Sequence, residues 1–557
     1  MDTNLKSKWA ADLLHHNRVW ATVLGAASLL WFLLRVVPKP SRASYPCQRA
    51  AFPLASAFVL WLCASMGRVF SIVAMRRMVR RYRFAALGLA AMATIVASTW
   101  MWHSRSIKAA EIATHYNFVP QTRNVPMGEA RGIFPGRVVW ARDPLAAHWN
   151  GQIDSSKDQW WMDSSTDQAR VEGMVSNTLL KLTGAASEDG AWKRIFAYYN
   201  HRSRGLEKGY RNGEIIAIKV NLNNSGVSGP GNIVNVSPQV AMAIVRQLVL
   251  HAHVPAGNIV VYDARRDVYP GMLLKIWSEF KDVRFVQWDQ PDPGQPMNPG
   301  YGDHHGLEQA RWVEGVSYSA NSYHDAKLIP QQIMDATYLV NLALLKAHSY
   351  PYAQSEGGDE GQTGITMTGK NHFGSIKGTP ELHEAINTSQ KGTPHAYSPI
   401  VDLAASPNLG AKTILYMLDG LYAARRHQSF PLHFPNQPFN NRVDPYANTD
   451  WPSSILASLD GVALDSVGLD ILCAQTKKNE DHNHHARILI RENADDYLQE
   501  EALATHPPSG IAYRQNGRPV SSLGVFEHWN NDLSRQYSRN IDPKDGKGIE
   551  LIYLSTK

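Results

Sequence analysis

The chain has 557 residues, 44% of them hydrophobic and 19% charged, and its formal net charge at pH 7 is +7. This length exceeds what one ordinary hydrophobic core holds, so we expect several structural parts. Much of the positive charge flanks apolar segments near the N-terminus, and the sequence has no zinc-finger, basic-heptad or aromatic RNA-binding pattern, so we expect no nucleic-acid partner.

Cysteine usage narrows the cofactor chemistry. The cysteines are Cys47, Cys63 and Cys473, and no two of them stand at the two-residue spacing used by zinc ribbons and iron–sulfur clusters. We therefore expect no iron–sulfur cluster and no disulfide framework. A single bridge between Cys47 and Cys473 stays open as an alternative.

Three long apolar segments come first in the chain, at about residues 19–37, 51–67 and 84–102. Each approaches the roughly 20 apolar residues with which a helix crosses a bilayer, and tryptophans stand at their ends. They predict three transmembrane helices in a membrane anchor over residues 1–108, with the lipid bilayer and other subunits of a membrane complex as partners. The alternatives are a cleaved signal peptide, which has one such segment, and a buried helical hairpin.

Basic residues beside these segments predict the orientation. Arginines cluster between the second and third segments, at positions 68, 76, 77, 80, 81 and 83, and a loop of this kind stays in the cytoplasm. Basic residues between positions 35 and 49 argue weakly for the opposite orientation. The prediction is a multi-pass protein of the bacterial inner membrane whose soluble domain lies in the periplasm.

The rest of the chain alternates between strand and helix patterns. After a Trp-rich segment at 136–151, the expected elements are, in chain order, a helix over 166–183, a strand over 214–224, a helix after the N-cap Ser237, a strand over 258–264, a helix near 272–280, a short strand at 283–289, strands over 337–348 and 412–420, and a helix over 463–475. This alternation predicts an α/β fold, with a mixed, mostly parallel sheet that carries helices on both faces and is preceded by the three transmembrane helices. We divide the part after the anchor into an N-terminal part (109–213), an α/β core (214–475) and a C-terminal extension packed on the core (476–557).

One glycine-rich segment, GITMTGKN at residues 364–371, is one residue away from a phosphate-binding P-loop motif. A P-loop needs a strand directly before it, a helix directly after it and a hydroxyl at the position of Asn371. The preceding strand is predicted to end near His348, and glycines and a proline follow the segment, so we reject the P-loop interpretation. Two interpretations stay open: a loop that wraps an anion or a buried polar group, and a flexible insertion.

Four segments of the chain resemble the prokaryotic family called domain of unknown function 362: IAIKVNLNN, DATYLVNLALLKAH, TGITMTGKNHFGSI and DGVALDSVGLD. The resemblance covers about residues 214–475, and the third segment is its most specific part. It implies that the family's polar positions fall here on Lys219, Asn221, Lys346, His348, Lys370, Asn371 and Asp465. Many relatives look like iron–sulfur proteins, but this chain does not have the cysteine runs that they carry, so cluster chemistry is not implied for it.

Several of these polar residues follow predicted strands. In open α/β sheets, ligands bind beyond the carboxyl ends of the strands, so we expect the polar side chains to meet at one edge of the sheet, with the glycine-rich segment over them as a lid or cradle. The predicted site consists of the catalytic residues Lys346 and His348, the substrate-binding residues Lys219, Asn221, Thr368, Lys370 and Asn371, and the metal ligands Asp263 and Asp419.

Each of these assignments has a chemical basis and a structural alternative. A desolvated Lys346 could act as a base or form an imine, and a divalent metal is the cofactor that the two aspartates would hold. The alternatives are that the aspartates cap helices, that Lys346 pairs with a carboxylate and that His348 is a hydrogen-bonded loop residue.

Two functions are consistent with this pattern. The first is a membrane-anchored enzyme that acts on a small anionic substrate at the carboxyl ends of the strands. The second is a noncatalytic ligand-binding or scaffold subunit of a membrane complex. The sequence has no G-x-S-x-G or comparable nucleophile motif, so whether the protein is an enzyme stays open.

Overall fold

The computed structural model describes the chain in segments. The described residues are 26–31, 33–34, 55–56, 58–59, 123–152, 158–223, 233–289, 306–349, 362–383, 396–424, 429–434, 436–439, 451–476 and 494–555. The chain forms two compact units, one from Met1–Thr114 with Pro351–Gly361 and the other from His115–Tyr350 with Gln362–Lys557. All elements labelled below belong to the second unit.

The first unit contains the region predicted as a membrane anchor. Its described residues, 26–31, 33–34, 55–56 and 58–59, are helical, and most of the three predicted spans lie outside the described residues. No helix in the described part of the chain is long and apolar enough to cross a membrane. This finding contradicts the prediction of three transmembrane helices, and with it the multi-pass location in an inner membrane, because a spanning helix needs about 20 mostly apolar residues in sequence.

The second unit is organised around one large sheet. The described strands are β1 (Met127–Gly128), β2 (Arg137–Arg142), β3 (Ile216–Val220), β4 (Ile259–Tyr262), β5 (Arg284–Gln287), β6 (Leu307–Gln309), β7 (Trp312–Glu314), β8 (Leu328–Pro330), β9 (Tyr338–Ser349), β10 (Gln362–Thr366), β11 (Thr413–Ala424), β12 (Ser454–Ser458), β13 (Arg514–Gln515), β14 (Arg518–Pro519), β15 (Val525–Phe526) and β16 (Glu550–Ser555). In the large sheet the strands lie in the order β16-β2-β12-β11-β9-β3-β4-β5-β6, and β10 pairs with β9.

Most neighbouring strands of this sheet are parallel. The strands from β11 through β9, β3, β4 and β5 to β6 run side by side in one direction, and β16 is parallel to β2. β12 is antiparallel to both β11 and β2, and β10 is antiparallel to β9. The predicted mixed, mostly parallel sheet is confirmed.

Helices cover both faces of the sheet, as predicted. The described α-helices are α1 (Gln168–Thr183), α2 (Glu188–Tyr199), α3 (Pro238–Arg246), α4 (Pro270–Trp277), α5 (Gln331–Met334), α6 (Thr368–Asn371), α7 (Pro399–Ala405), α8 (Gly461–Thr476), α9 (Asp496–Ala502) and α10 (Ser538–Ile541). π-helical turns over Asn200–Arg204 and Gln247–His251 follow α2 and α3, and short 3₁₀ turns lie at Ala256–Asn258, His372–Ser375 and Gly410–Lys412.

The side chains of β9 show how the two faces are used. Val340 and Leu342 belong to the apolar core beneath α1 to α4, whereas Leu339 and Ala343 belong to the core beneath α7, α8 and α9. Successive strand residues point to opposite faces, so a strand covered on both sides reads as a nearly continuous apolar run. Each fully buried aliphatic side chain of this kind stabilises the fold by about 1.5–3 kcal/mol.

Two segments differ from the expectation. The Trp-rich segment at 136–151 contains β2, which lies between β12 and β16, and residues 138–141 are buried. Strand β11 continues to Ala424, beyond the predicted end at Gly420. Both differences follow from pairing with strands that are distant in sequence, which local patterns do not reveal.

GITMTGKN forms a strand and a helical turn instead of a loop. Strand β10 pairs with the end of β9 so that Thr366 lies opposite Lys346 and Gly364 lies opposite His348, and α6 follows directly. Ile365 and Met367 are buried in the apolar core, and this alternation of apolar and polar residues is typical of a strand. The alternative of a flexible insertion is therefore wrong, and the segment is part of the folded core.

Candidate functional site

Three lysines are buried at the carboxyl edge of the sheet. Lys219 lies on β3, Lys346 on β9 and Lys370 on α6, and their exposed fractions are 0%, 0% and 3%. Lysine is almost never fully buried unless its amine has partners, because a buried ammonium group loses its hydration. We call these three residues, with their hydrogen-bonding neighbours Asn221, Asn223, Asp263 and Asn371, the lysine site.

Lys219 is held by an ion pair. Its Nζ lies 3.2 Å from Oδ2 of Asp263, 3.1 Å from Oδ1 of Asn371 and 2.6 Å from the carbonyl oxygen of Val220. Asp263 also accepts hydrogen bonds from the backbone N–H groups of Leu222 and Arg265, at 3.0 and 3.1 Å. Asp263 therefore ties the end of β4 to the end of β3.

A glycine makes this close packing possible. A Cβ atom at Gly374 would lie 2.6 Å from Nζ of Lys219 and 2.7 Å from Oδ1 of Asp263, which is closer than real Cβ contacts. The backbone N–H of Ala264 donates to the carbonyl oxygen of Gly374 at 2.8 Å. The turn after α6 thus lies directly against the ion pair.

A chain of amide side chains joins Lys346 to Lys219. Lys346 Nζ donates to Oδ1 of Asn223 at 2.6 Å, and Asn223 donates to Oδ1 of Asn221 at 3.1 Å. Asn221 in turn donates to Oδ1 of Asn371 at 3.2 Å, the same oxygen that Lys219 contacts. The predicted convergence of Lys219, Asn221, Lys346 and Asn371 is present in this hydrogen-bond network.

Burial governs the charge of the lysine amines. It lowers the pKa of Lys219, which Asp263 partly offsets, and it lowers the pKa of Lys346 well below the ordinary value. Burial, together with the charge of Lys346, also holds the pKa of Lys370 well below its usual range. A lysine amine in such surroundings loses its proton at a lower pH than an exposed amine does.

Two histidines, His348 and His372, have different partners near this network. His348 Nδ1 is 2.7 Å from Oγ1 of Thr366, and its ring stacks against the ring of His383 with centroids 5.7 Å apart. His372 is buried beside Asn341, and burial, with the charge of Lys219, lowers its pKa to about 3. His372 is therefore neutral at physiological pH.

The first turn of α6 binds an internal carboxylate. The backbone N–H groups of Thr368 and Gly369 donate to Oδ1 and Oδ2 of Asp465, each at 2.9 Å, and the Thr368 hydroxyl and the Tyr497 hydroxyl donate to the same carboxylate. The turn does follow a strand, contrary to the expectation used to reject the P-loop. Its N–H groups bind Asp465 where a P-loop would bind phosphate, so Thr368, predicted to contact substrate, is bonded to α8.

The two aspartates predicted as metal ligands have different surroundings. Asp263 belongs to the lysine site, whereas Asp419 accepts the backbone N–H groups of Ser237 and Leu421, at 2.7 and 3.0 Å. Burial raises the pKa of Asp419 to about 6. Asp419 connects the start of α3 to β11, and within the described residues no group of three or more His, Cys, Asp or Glu side chains is arranged to hold a metal ion.

Sequence reasoning missed three residues of this region: Asn341, His372 and Gly374. Asn341 lies opposite Lys219 in the pairing of β9 with β3, accepts from Nδ2 of Asn371 at 2.8 Å and donates to the carbonyl oxygen of Thr368 at 2.9 Å. A single asparagine inside an otherwise apolar strand was the available signal, because a buried polar side chain needs partners.

The part of the chain that holds this site is similar to a known family model. No curated protein and no solved structure matches the chain. Residues 216–470, which contribute every residue of the lysine site, match the model of the family described as Domain of unknown function (DUF362), and the resemblance inferred from the sequence is confirmed for this domain.

Proposed function

We propose that the lysine site binds a small anionic substrate and that Lys346 is its reactive amine, so that the protein is an enzyme. One observation carries this proposal. The Lys346 amine is fully buried at the carboxyl edge of the sheet and donates to an amide oxygen of Asn223, and among the described residues it forms no ion pair with a carboxylate. Ligands of open α/β sheets bind at this edge.

The lowered pKa of Lys346 supports its role as the reactive group. A neutral amine has a lone pair with which it can accept a proton from the substrate or attack a carbonyl carbon. In the second reaction the carbonyl oxygen takes up protons and leaves as water while the carbon–nitrogen double bond forms. His348 lies two residues further along β9, where strand geometry directs its side chain to the same face, and it is suited to transfer these protons.

The charge around Lys346 supports an anionic substrate. Burial lowers the pKa of Lys346 most, the charge of Asp263 raises it, and the positive charges of Arg266 and Lys219 lower it further. Burial and then the charge of Lys346 lower the pKa of Lys370. Positive charge gathered in a site with low dielectric favours a carboxylate or phosphate group more strongly than the same charge would in water. A bound anion would raise the pKa of Lys370 again, and we assign Lys370 in its protonated form to binding the anionic group of the substrate.

The same positive potential also supports the second candidate function, noncatalytic binding of an anionic ligand or a scaffold role. The two functions differ in what they require of Lys346. An enzyme needs its amine to be neutral and accessible to a small electrophile, whereas a binding protein needs only the charge of the site.

Competitive acetylation separates the two. The full-length protein is labelled with trace acetic anhydride across a pH series, and peptide mass spectrometry compares Lys346 with Lys193, an exposed lysine on α2. At pH 7 we expect Lys346 to react faster than Lys193, because more of its amine is neutral, and we expect saturating inorganic phosphate to protect it. The Lys370→Met variant should lose this protection, whereas Lys193→Met should keep it.

The acetylation results can contradict either one or both of these functions. Phosphate protection with Lys346 less reactive than Lys193 at every pH would leave ligand binding and overturn the enzymatic proposal. A slow reaction of Lys346 without any phosphate protection would overturn both functions for this site.

A further inference from the structure

A cavity lies at the amino edge of the sheet, which is the edge opposite the lysine site. Its volume is about 430 Å³, within the range of about 300–1,000 Å³ that is typical of small-molecule sites. Arg131, Arg202 and Arg518 line it together with Tyr198 and Tyr416. We call it the arginine cavity.

Three separate parts of the chain supply the arginines. Arg131 precedes β2, Arg202 lies in the π-helical turn Asn200–Arg204 after α2, and Arg518 lies on the hairpin of β13 and β14. The cavity also borders the start of β11 at Thr413, which places it far along the sheet from the carboxyl ends that form the lysine site. π-helical turns are often found at functional sites, because they displace side chains from the regular helical positions.

The three guanidinium groups are not neutralised by carboxylates in the described part of the chain. None of them forms an ion pair there, and Nε of Arg131 is buried without a hydrogen-bond partner among the described residues while its Nη2 donates to the carbonyl oxygen of Ser522. Arginine keeps its charge under nearly all conditions, so an unpaired cluster of this kind repels itself until an anion binds. Burial lowers the pKa of Arg131 most, the charge of Arg202 lowers it further, and the charge of Asp460 raises it.

Two buried acidic residues, Asp460 and Glu501, interact with the charge of Arg131. Asp460 is buried and accepts the backbone N–H groups of Arg131, Ala463 and Val525, at 2.8, 3.0 and 3.1 Å. Burial raises the pKa of Asp460 to about 6, and burial with the charges of Asp465 and Asp460 raises the pKa of Glu501 well above its ordinary value. Glu501 therefore tends toward its neutral form. Asp460 offsets part of the charge of Arg131, but the described residues that line the cavity include three arginines and no carboxylate, so its net charge is positive.

A smaller cavity continues inward from Arg131 and Tyr416. Its volume is about 20 Å³, enough for one water molecule, and it is also lined by Asn341 and His372. Nδ1 of His372 is buried there without a hydrogen-bond partner among the described residues. The inner cavity is too small for an organic ligand, so a ligand of the arginine cavity stays outside it and does not reach the lysine site by this route.

We propose that the arginine cavity is a second ligand site, and that it binds a small organic molecule with at least two negative charges. Guanidinium groups bind phosphate and carboxylate oxygens through paired hydrogen bonds, and three of them surround a volume that matches a molecule of this size. The rings of Tyr198 and Tyr416 provide apolar surface for the uncharged part of the ligand. A phosphate ester and a polycarboxylate share the chemistry that this site recognises.

The test uses two probes: inorganic pyrophosphate stands for a phosphate ester, and citrate stands for a polycarboxylate. Each is titrated calorimetrically into the full-length protein at low ionic strength, where charge interactions are least screened. The Arg202→Met/Arg518→Met variant should bind at least one probe roughly tenfold or more weakly than the unmodified protein, because it loses charge-assisted hydrogen bonds. Arg514→Met is the matched control, since Arg514 lies on the same hairpin but donates to the carbonyl oxygen of Gly517.

The outcomes distinguish this site from the lysine site. The proposal is supported if Arg202→Met/Arg518→Met weakens probe binding and Lys370→Met leaves it unchanged. The probe that binds better then shows whether the ligand is a phosphate or a carboxylate. The proposal is overturned if neither probe binds saturably, or if the double variant binds the probes as well as the unmodified protein does. Failure at this cavity would leave the function proposed for Lys346 untouched, because the acetylation experiment reads a different residue.

Discussion

The two edges of the sheet hold positive charge in different ways. At the carboxyl edge, lysine amines are buried, joined by amide side chains, and shifted toward their neutral form. At the amino edge, Arg202 and Arg518 are exposed at the mouth of a cavity and make no ion pair among the described residues. A buried amine loses its proton more easily, and the neutral amine can react as a base or nucleophile. A guanidinium group stays charged, so it is suited to binding anions and not to such reactions.

Removing Asp263 gives the largest expected effect, because it breaks the ion pair at the carboxyl edge. Asp263→Ala leaves the buried Lys219 without its carboxylate, and we expect the free energy of unfolding in urea to fall by about 3–5 kcal/mol. The Lys219→Met/Asp263→Ala double variant should recover part of this loss, since no buried charge then lacks a partner. A loss below about 1 kcal/mol would show that the ion pair is not a structural element of the lysine site.

Adding a methyl group at Gly374 tests the close packing against the same ion pair. The new Cβ of Gly374→Ala would overlap Nζ of Lys219 and Oδ1 of Asp263, and overpacking of this kind costs about 1–3 kcal/mol. Gly209→Ala is the control, because a Cβ at Gly209 meets nothing within 4 Å. Equal stability of the two variants in thermal or urea unfolding would contradict the geometry described for the lysine site.

The pH dependence of stability sharpens the contrast in charge. Because burial lowers the pKa of Lys346 in the folded state, the unfolded chain binds one more proton between this lowered pKa and the ordinary value of 10.5. The folded state is therefore penalised at lower pH, and the penalty disappears as the pH rises toward 10.5. Lys346→Met should be more stable than the unmodified protein at pH 7, and this advantage should shrink steadily up to pH 10.

Lys193→Met is the control for that titration. It removes a lysine that is exposed in the folded state, so it measures how the loss of one lysine amine from the surface affects the unfolding free energy at each pH. A stability difference for Lys346→Met that stays constant between pH 7 and pH 10 would mean that Lys346 keeps an ordinary pKa.

Substitutions at the amino edge should have the smallest effect on stability. Arg202→Met/Arg518→Met is expected to change the free energy of unfolding by no more than about 0.5 kcal/mol, as for other exposed positions. Differential scanning calorimetry of this variant beside Arg514→Met measures the change. Destabilisation clearly larger than in Arg514→Met would show that the arginines support the fold, which would break the contrast with the lysine site.

Local sequence patterns are sufficient for the parts of the site that depend on strand ends. Parallel strands bring their carboxyl ends to one edge, so the residue pattern alone places the polar groups after β3 and β4 together with those at the end of β9. Asn221, Asp263 and Lys346 are identified in this way, whereas Lys219 comes only from the resemblance to the family. The N-cap at Ser237 is equally visible, because its Oγ accepts from Val240 N as capping chemistry requires.

Other parts depend on pairing between distant segments. Asp419 is expected at a strand end, but β11 continues to Ala424, so its carboxylate meets the start of α3 instead of the lysine site. The alternation in GITMTGKN is easily overlooked because glycine-rich segments usually form loops, whereas pairing with β9 makes the segment a strand. The arginine cavity has no sequence signal, since Arg131, Arg202 and Arg518 are brought together only by the tertiary fold.

The charge state of Lys346 is the central claim, and NMR can measure it directly. Lysine labelled with ¹³C at Cε gives one signal per amine environment, and Lys346→Met assigns the signal of interest. We predict that this signal titrates with a midpoint well below the ordinary value of 10.5. A midpoint for Lys346 at or above 10.5 would contradict the account.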